Sequence, residues 1–336
     1  MQRLRCGLLG LNGEGRGLLD AVVSNPALEL VALGDPEHPG LRETAEQTGA
    51  KAFQDCRSLL VETSPEVVFV ALPARLAGDY LRTAAEHAIG VFQLAPWAID
   101  FEAAAGLADL FERSVCPHVI ARSWQVERAY DRLRALHDLL GRVYAVGVDV
   151  IGSSRDRHGW RGDADWVGGG TLYHDAYEQI DMVVTLCGVP EQVYAAAGQI
   201  TGPGGPRLHD TEDAMSVICN YSQDRFATVT SCRAEVAADW TVTMRGTAAT
   251  ARISPKSMRV TGPAGERISA TRVRARNRYR PAVAAFATSL LEKTASIPSS
   301  SRDHLPTMAV MQAAYLSAKT GSPESPAAFL RITGGE

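Results

Sequence analysis

The sequence predicts an α/β protein: an N-terminal doubly wound parallel sheet, then a C-terminal α/β domain with an open, mostly antiparallel sheet. Three observations predict it. Strand-length apolar runs alternate with helical patterns at short spacing through the first third of the chain. A glycine cluster stands where the first strand turns into the first helix. Beyond about residue 122 the rhythm changes to strand-length runs separated by turn residues. Close alternation requires right-handed crossovers and a parallel sheet covered on both faces. A chain of 336 residues suffices for two domains, placed here at 1–122 and 123–336.

Leu4 to Gly10 is a buried strand ending in glycine, and Gly17 to Val23 a helix. Leu28 to Leu33 is a second strand, stopped by Gly34-Asp35-Pro36. A helix over Leu41 to Thr48 and a short strand at Ala52-Phe53 follow. Val67 to Leu72 is wholly apolar, the mark of a strand buried on both faces, and Pro73 breaks it. Tyr80 to His87 is helical, Val91 to Leu94 a strand, and Phe101 to Phe111 an amphipathic helix. In the second domain Val143 to Val150 is a long strand, followed by a charged loop, Ser154 to Asp165. Gly168-Gly169-Gly170 opens a helix to Leu186. Strands follow at Val193–Ile200, Ala214–Tyr221, Phe226–Ser231, Trp240–Arg245, Thr250–Ile253 and Met258–Thr261. Two helices, Ala282–Thr294 and Thr307–Lys319, flank a Ser/Pro-rich loop near the end.

Composition removes several classes of function. With 34 Lys+Arg against 38 Asp+Glu the net charge is −4, so no basic face for nucleic acid is expected. Hydrophobic residues at 46% and charged residues at 21% describe a folded chain. No apolar run approaches a membrane span, so no membrane partner is expected. The opening Met1 to Arg5 leads into an apolar stretch without a small-residue cleavage site and reads as a strand. Six scattered cysteines form no C-x-x-C pair, which points to small core residues in a reducing, cytoplasmic setting.

Gly10-Leu11-Asn12-Gly13-Glu14-Gly15 follows the first strand and opens the first helix. Glycine there lets backbone approach a pyrophosphate whose charge meets the helix N-terminus. The match to G-x-G-x-x-G is imperfect, because Asn12 takes the second glycine. Asp35 ends the second strand, 20 residues past Gly15, the place for a carboxylate on a ribose 2′-hydroxyl. No arginine follows closely, so NAD is expected over NADP. A glycine turn without a nucleotide is the alternative.

With these motifs the sequence resembles the Gfo/Idh/MocA oxidoreductase family over nearly its whole length. Cys6 to Gly15, Val31 to Pro36 and Pro65 to Pro73 match in the first domain. Gly141 to Val143, Trp160-Arg161, Gly168 to Gly170 with Asp181 after them, Arg245 to Thr247 and Met311 to Gly321 match in the second. The resemblance implies an NAD(P)-binding Rossmann domain, with Leu72, Pro73, Ala95 and Pro96 joining Gly10, Asn12, Gly13, Gly15 and Asp35 along the cofactor. It implies sugar, cyclitol or related substrates, and an open sheet that assembles a homodimer or homotetramer.

The catalytic positions depart from that pattern. Where the family carries Glu-Lys-Pro, this chain has Leu94-Ala95-Pro96, so the lysine that handles the substrate hydroxyl is absent. Where it carries Asp-x-Gly-x-His, this chain has His174-Asp175-Ala176-Tyr177-Glu178, followed by Asp181. A histidine common shortly after Pro73 is replaced, Ala77 lying there. General acid–base help of the missing kind is worth about 10²–10⁴ in rate.

Three readings stay open. The first is hydride transfer with relocated groups: His174, Glu178 and Asp181 at i, i+4 and i+7 share one face of a continuous helix, with Tyr177 beside them. His174 or Tyr177 then replaces the lysine. The second is a pseudoenzyme that binds nucleotide or sugar for assembly or regulation, since Ala95 exchanges no proton and Glu178 repels an alkoxide unless protonated. The third is NAD-assisted elimination or hydrolysis. His174 and Glu178 are also metal ligands by type, but two without a third do not make a site, and no metal is expected. A helix face merely satisfied at a domain junction is the structural alternative. For substrate contact the candidates are Arg157, Trp160 and Arg161 in the charged loop, together with Tyr173. Arg272, Arg274, Arg276, Arg278 and Arg280 recur at period two and would share a face if extended. His209-Asp210 and Glu212-Asp213 read most simply as a turn.

Overall fold

The computed structural model describes residues 3–122, 139–153, 162–199, 210–234, 237–272, 277–292 and 299–333. The chain divides into two compact units. Unit 1 is Met1–Ala98, Glu102–Val126 and Asn277–His304; unit 2 is Ile99–Phe101, Glu127–Arg276 and Leu305–Glu336.

Unit 1 is a six-stranded sheet in the order β3-β2-β1-β4-β5-β6, with every neighbouring pair parallel. Its strands are β1 Leu4–Leu9, β2 Leu28–Gly34, β3 Lys51–Phe53, β4 Val67–Val70, β5 Gly90–Gln93 and β6 His118–Ile120. Between them run α1 Glu14–Val23, α2 Leu41–Thr48, α3 Cys56–Thr63, α4 Ala74–Glu86 and, after β5, α5 Phe101–Arg113. This is the doubly wound Rossmann arrangement that the alternation predicts. Two of its elements escape the periodicity. The α3 helix is started by Asp55, whose carboxylate accepts from the N–H groups of Arg57 and Ser58. The β6 strand is only three residues long.

The core of unit 1 draws on the far end of the chain. Phe286 lies in α9 Arg280–Leu291 (α6 to α8 follow below) and packs with Phe69 of β4 and Phe92 of β5. The ring centroids are 6.1 and 5.6 Å away. Asn277–His304 therefore clusters with unit 1, although it follows the second domain in sequence. The period-two arginines do not continue in an extended segment here: Arg278 lies in a turn and Arg280 opens α9. The side chains of Arg272, Arg274 and Arg276 lie outside the described residues.

Unit 2 carries an eight-stranded sheet in the order β14-β13-β12-β11-β7-β10-β9-β8. The strands are β7 Val143–Ser153, β8 Gln192–Gly198, β9 Ala214–Tyr221, β10 Arg225–Ala234, β11 Asp239–Gly246, β12 Thr250–Ile253, β13 Ser257–Thr261 and β14 Arg267–Arg272. Only the central pair β7 and β10 is parallel; the other pairs are antiparallel, as the turn-separated runs predict. Alternation sets the two faces. Met215, Val217, Cys219 and Tyr221 of β9 are buried on one face, while Ile218 is exposed on the other. Helices cover the buried face: α6 Ala164–Val167, α7 Thr171–His174, α8 Tyr177–Cys187, α10 Leu305–Thr320 and α11 Pro326–Thr333. Ser317 of α10 accepts the N–H of Ala195 at 3.0 Å, fixing that helix on β8. The uncovered face presents Tyr194, Ile218 and Phe226.

Candidate functional site

In unit 1 the glycine turn is built as its sequence requires. Gly10 has φ +92°, and a Cβ there would stand 2.6 Å from the Ala71 carbonyl oxygen. A Cβ on Gly15 would stand 2.3 Å from the Gly10 oxygen. The turn thus lies directly on the end of β4, and only glycine permits it. The left-handed residue after it is Gly13 at φ 55°, not Asn12, which is exposed. Gly13 caps α1 without any side-chain hydrogen bond, and Gly15 N–H closes the turn on the Asn12 carbonyl at 3.0 Å, so an anion at this helix end meets backbone rather than a competing side-chain cap.

Asp35 closes the other side of the turn. Its carboxylate is buried, 3% exposed. Oδ2 accepts Leu11 N–H at 2.8 Å, and Oδ1 accepts Glu37 N–H at 3.0 Å and His38 N–H at 2.9 Å. A second acceptor direction on Oδ2 is left for a ribose hydroxyl. The residues that follow, Pro36-Glu37-His38, supply an acid rather than an arginine, which disfavours a 2′-phosphate. Together the helix end without a side-chain cap, the close-packed turn and the acceptor fit NAD.

Leu72 is buried after β4, and Pro73 caps α4. Ala95 and Pro96, joined by a cis peptide bond, are half-buried on the turn after β5. Gln93 pins that turn: its Nε2 donates to the Trp97 carbonyl at 3.1 Å, and its Oε1 meets His118 Nε2 at 3.0 Å. Three further residues support α1. Asn277 Nδ2 donates to the Gly17 carbonyl at 2.7 Å, and Tyr279 Oη donates to Glu14 at 2.7 Å. Arg278 pairs with Glu14 at 3.0 Å. Their separation of about 260 residues from α1 hides this clamp from any sequence pattern.

In unit 2 the predicted continuous helix is interrupted. It ends at His174 and restarts at Tyr177, with Asp175 and Ala176 between. His174, Glu178 and Asp181 therefore do not share one unbroken helix face, which corrects the spacing argument. His174 is half-buried and its ring stands edge-on to Tyr173, with centroids 6.0 Å apart. Tyr177 is buried and Glu178 half-buried, both in the first turn of α8. Asp181 is 1% exposed and accepts from Thr307 Oγ1 at 2.8 Å, tying α8 to α10. Tyr173 donates its hydroxyl to Met308 sulfur at 3.8 Å. Burial, with the Asp100 carboxylate nearby, raises its phenol well above the ordinary range. Arg157, Trp160 and Arg161 lie outside the described residues. Among the described residues no three His, Cys, Asp or Glu side chains gather as a metal site.

Two buried charged groups support His174 and its neighbours. Glu212 does more than make a turn. It accepts Gly170 N–H at 2.7 Å, Leu172 N–H at 3.0 Å and Tyr315 Oη at 2.8 Å. Burial raises its carboxyl, against the lowering effect of those hydrogen bonds. Tyr315 is raised as well, first by burial and then by Glu212. The triple glycine makes room for this knot: a Cβ on Gly169 would lie 2.1 Å from Tyr315 Oη, and one on Gly170 2.1 Å from the Glu212 carbonyl oxygen. The second group is Arg233, fully buried in β10 and paired with Asp175 at 3.3 Å. A single arginine in a strand carries no pattern that announces such a pair.

A six-stranded parallel doubly wound sheet that opens on a close-packed glycine turn, in one chain with a mostly antiparallel open sheet, is the architecture of a dinucleotide-binding protein of the Rossmann class. The chain belongs to the GFO/IDH/MocA family. Residues 4–123 match its domain described as "Oxidoreductase family, NAD-binding Rossmann fold", and residues 130–252 match the GFO/IDH/MocA C-terminal domain. An uncharacterized oxidoreductase of Streptococcus pneumoniae is 24% identical over 232 residues, 67% of this chain and 61% of that protein. The 2,7-anhydro-N-acetylneuraminate hydratase of Mediterraneibacter gnavus is 25% identical over 236 residues, 68% of this chain and 61% of that protein. The chain thus spans about three fifths of the length of these curated relatives. Among solved structures, levoglucosan dehydrogenase in complex with NADH shares the fold at TM-score 0.84 and 19% identity, over 96% of this chain and 99% of that one. No helix among the described residues is long and apolar enough to cross a membrane.

Proposed function

We propose that the protein is an NAD-dependent oxidoreductase acting on a secondary alcohol or ketone of a sugar, cyclitol or derivative. The observation that carries the reading is the support of His174. The first turn of its helix is tied to buried Glu212, and Asp175 beside it is held by Arg233. A residue that moves a proton must be locked in place by the contacts around it, and these two groups supply such contacts.

Bound NAD supplies the hydride acceptor for alcohol oxidation and, reduced, the donor for the reverse direction. Gly10, Asn12, Gly13 and Gly15 hold the pyrophosphate by backbone, Asp35 accepts from the ribose, and Leu72, Pro73, Ala95 and Pro96 line the cofactor. His174 takes the hydroxyl proton of the alcohol as its carbon loses hydride, and Tyr177 is the second donor for the reverse direction. Glu178 orients the imidazole, and Asp181 fixes the helix that carries Glu178. Tyr173, Arg157, Trp160 and Arg161 contact the sugar. The open face with Tyr194, Ile218 and Phe226 buries itself in a homodimer or homotetramer, and the protein works in the cytoplasm.

The test is NADH formation with aldoses, cyclitols, uronates and nucleotide sugars in turn. His174→Ala should lower kcat by about 10²–10⁴, and Glu178→Ala should lower it less. Unchanged turnover in both variants defeats the assignment. A second reading rests on Ala95, which has no proton to exchange, and on the relative named as a hydratase. In it NAD is bound tightly and turnover is an elimination or hydrolysis without net NADH, or is absent altogether. Binding of NADH, read by its fluorescence, without turnover of any of the four substrate classes favours that reading.

A further inference from the structure

Unit 2 contains a cavity of about 250 Å³ that the proposed chemistry does not use. It lies at the opposite end of α8 from Tyr177 and Glu178, because Leu186 and Cys187 at that helix's C-terminus line it. Ten residues of helix separate the two ends, about 15 Å. The strand register agrees. Val143 to Val146, the start of β7, line the cavity, whereas Gly152 near the end of β7 packs against Asp175.

The walls are mostly apolar, and of the polar side chains in them three bear on a ligand. Arg142 donates from Nη1 to the Gln223 carbonyl at 3.3 Å. Arg225 donates from Nε to the Ser222 carbonyl at 3.4 Å, and its guanidinium lies over the Tyr221 ring, 5.4 Å from the centroid. Neither arginine meets a carboxylate among the described residues, and no acid lines the cavity. Two like charges held at one cavity without a counter-ion favour an anion. The third group is Tyr221, 9% exposed, whose hydroxyl is buried with no hydrogen-bond partner. A buried hydroxyl left unpaired has lost its water without compensation, so it asks for a partner.

The turn that presents these groups is itself costly. Gln223 and Asp224 both have left-handed backbone, φ 63° and 56°, at a hairpin position that Asn-Gly usually fills. Side chains with a Cβ are strained in that conformation. In return, the turn directs the Ser222 and Gln223 carbonyls at the two arginines.

We propose that this cavity binds a small organic carboxylate with an apolar body and one hydrogen-bonding group. Its anionic head meets Arg142 and Arg225, its body packs on Leu186 and Met244, and its polar group pairs with Tyr221. A cavity of this size admits a single-ring acid but no dinucleotide.

The test is calorimetric titration of the full chain with 4-hydroxyphenylacetate, against its neutral amide as control. The acid should bind, with the amide at least about tenfold weaker. Arg142→Gln and Arg225→Gln should each weaken the acid about tenfold. Tyr221→Phe should weaken it severalfold while leaving Tm of the free protein equal or higher, because the lost hydroxyl has no partner to forfeit. Absence of heat at about 10 mM acid, equal binding of the amide, indifference to the arginine variants or a lower Tm in Tyr221→Phe would each overturn the proposal.

Discussion

Tyr315 and Glu212 share a buried hydrogen bond of 2.8 Å across 103 residues of sequence. The same carboxylate receives two backbone N–H groups from the turn that starts the His174 helix. One acid thus links the penultimate helix α10 to the residue proposed to move the proton.

Glu212→Gln should cost about 1–3 kcal/mol, because a carboxamide keeps one oxygen where three donors converge on two. Tyr315→Phe should cost less, since it removes a single donor. Urea unfolding of the three proteins reads both numbers. Equal midpoints would mean that the knot contributes nothing.

Arg233 and Asp175 form the buried ion pair beside it. Arg233→Met alone removes this charge partner from Asp175 and should destabilise by about 3–5 kcal/mol. The double variant with Asp175→Leu should recover much of that loss, as an apolar pair of similar volume does. A double-mutant cycle showing simple additivity would contradict the coupling.

His118 gives unit 1 an acid sensitivity. Its ring is buried, stacked on Phe111 at a centroid distance of 4.3 Å, and hydrogen-bonded to Gln93. Burial, then the neighbouring His304, lowers its pKa from the model-compound value of 6.5 to about 3. The unfolded chain therefore takes up the proton first. The stability is fully present above pH 6.5 and is lost as pH falls toward 3, at about 1.4 kcal/mol per pH unit. His118→Gln should be less stable at neutral pH yet flatter in Tm between about pH 6.5 and 5. Parallel Tm profiles would assign the acid sensitivity elsewhere.

Gly15→Ala tests the dinucleotide turn. The added methyl would meet the Gly10 carbonyl oxygen at 2.3 Å, so the turn must open. NADH affinity should fall by more than about tenfold, with circular dichroism nearly unchanged. Full retention of affinity would remove the turn from the binding site.

The local pattern carried much of the first unit. Alternating apolar runs specify five of the six parallel strands because each strand and its crossover helix are neighbours in sequence, and Gly10, Gly15 and Asp35 are legible because their spacing is set by one βα turn and the next strand. The β6 strand was not legible because three residues are too few to show an alternation, and α3 because its start rests on the Asp55 cap rather than on a strong apolar stripe.

What the sequence by itself determined was the fold class, the family and the place of the cofactor turn. The tertiary structure alone decided which charged residues are internal. Glu212 reads as part of an exposed turn until Gly170, Leu172 and Tyr315 close around it from 42, 40 and 103 residues away. The break after His174 likewise has no signal in the sequence, since Asp175-Ala176 contains neither glycine nor proline. Periodicity records only which neighbours in sequence share a face. Burial and ion pairing depend on partners brought together by packing, and those distances are written nowhere in the local pattern.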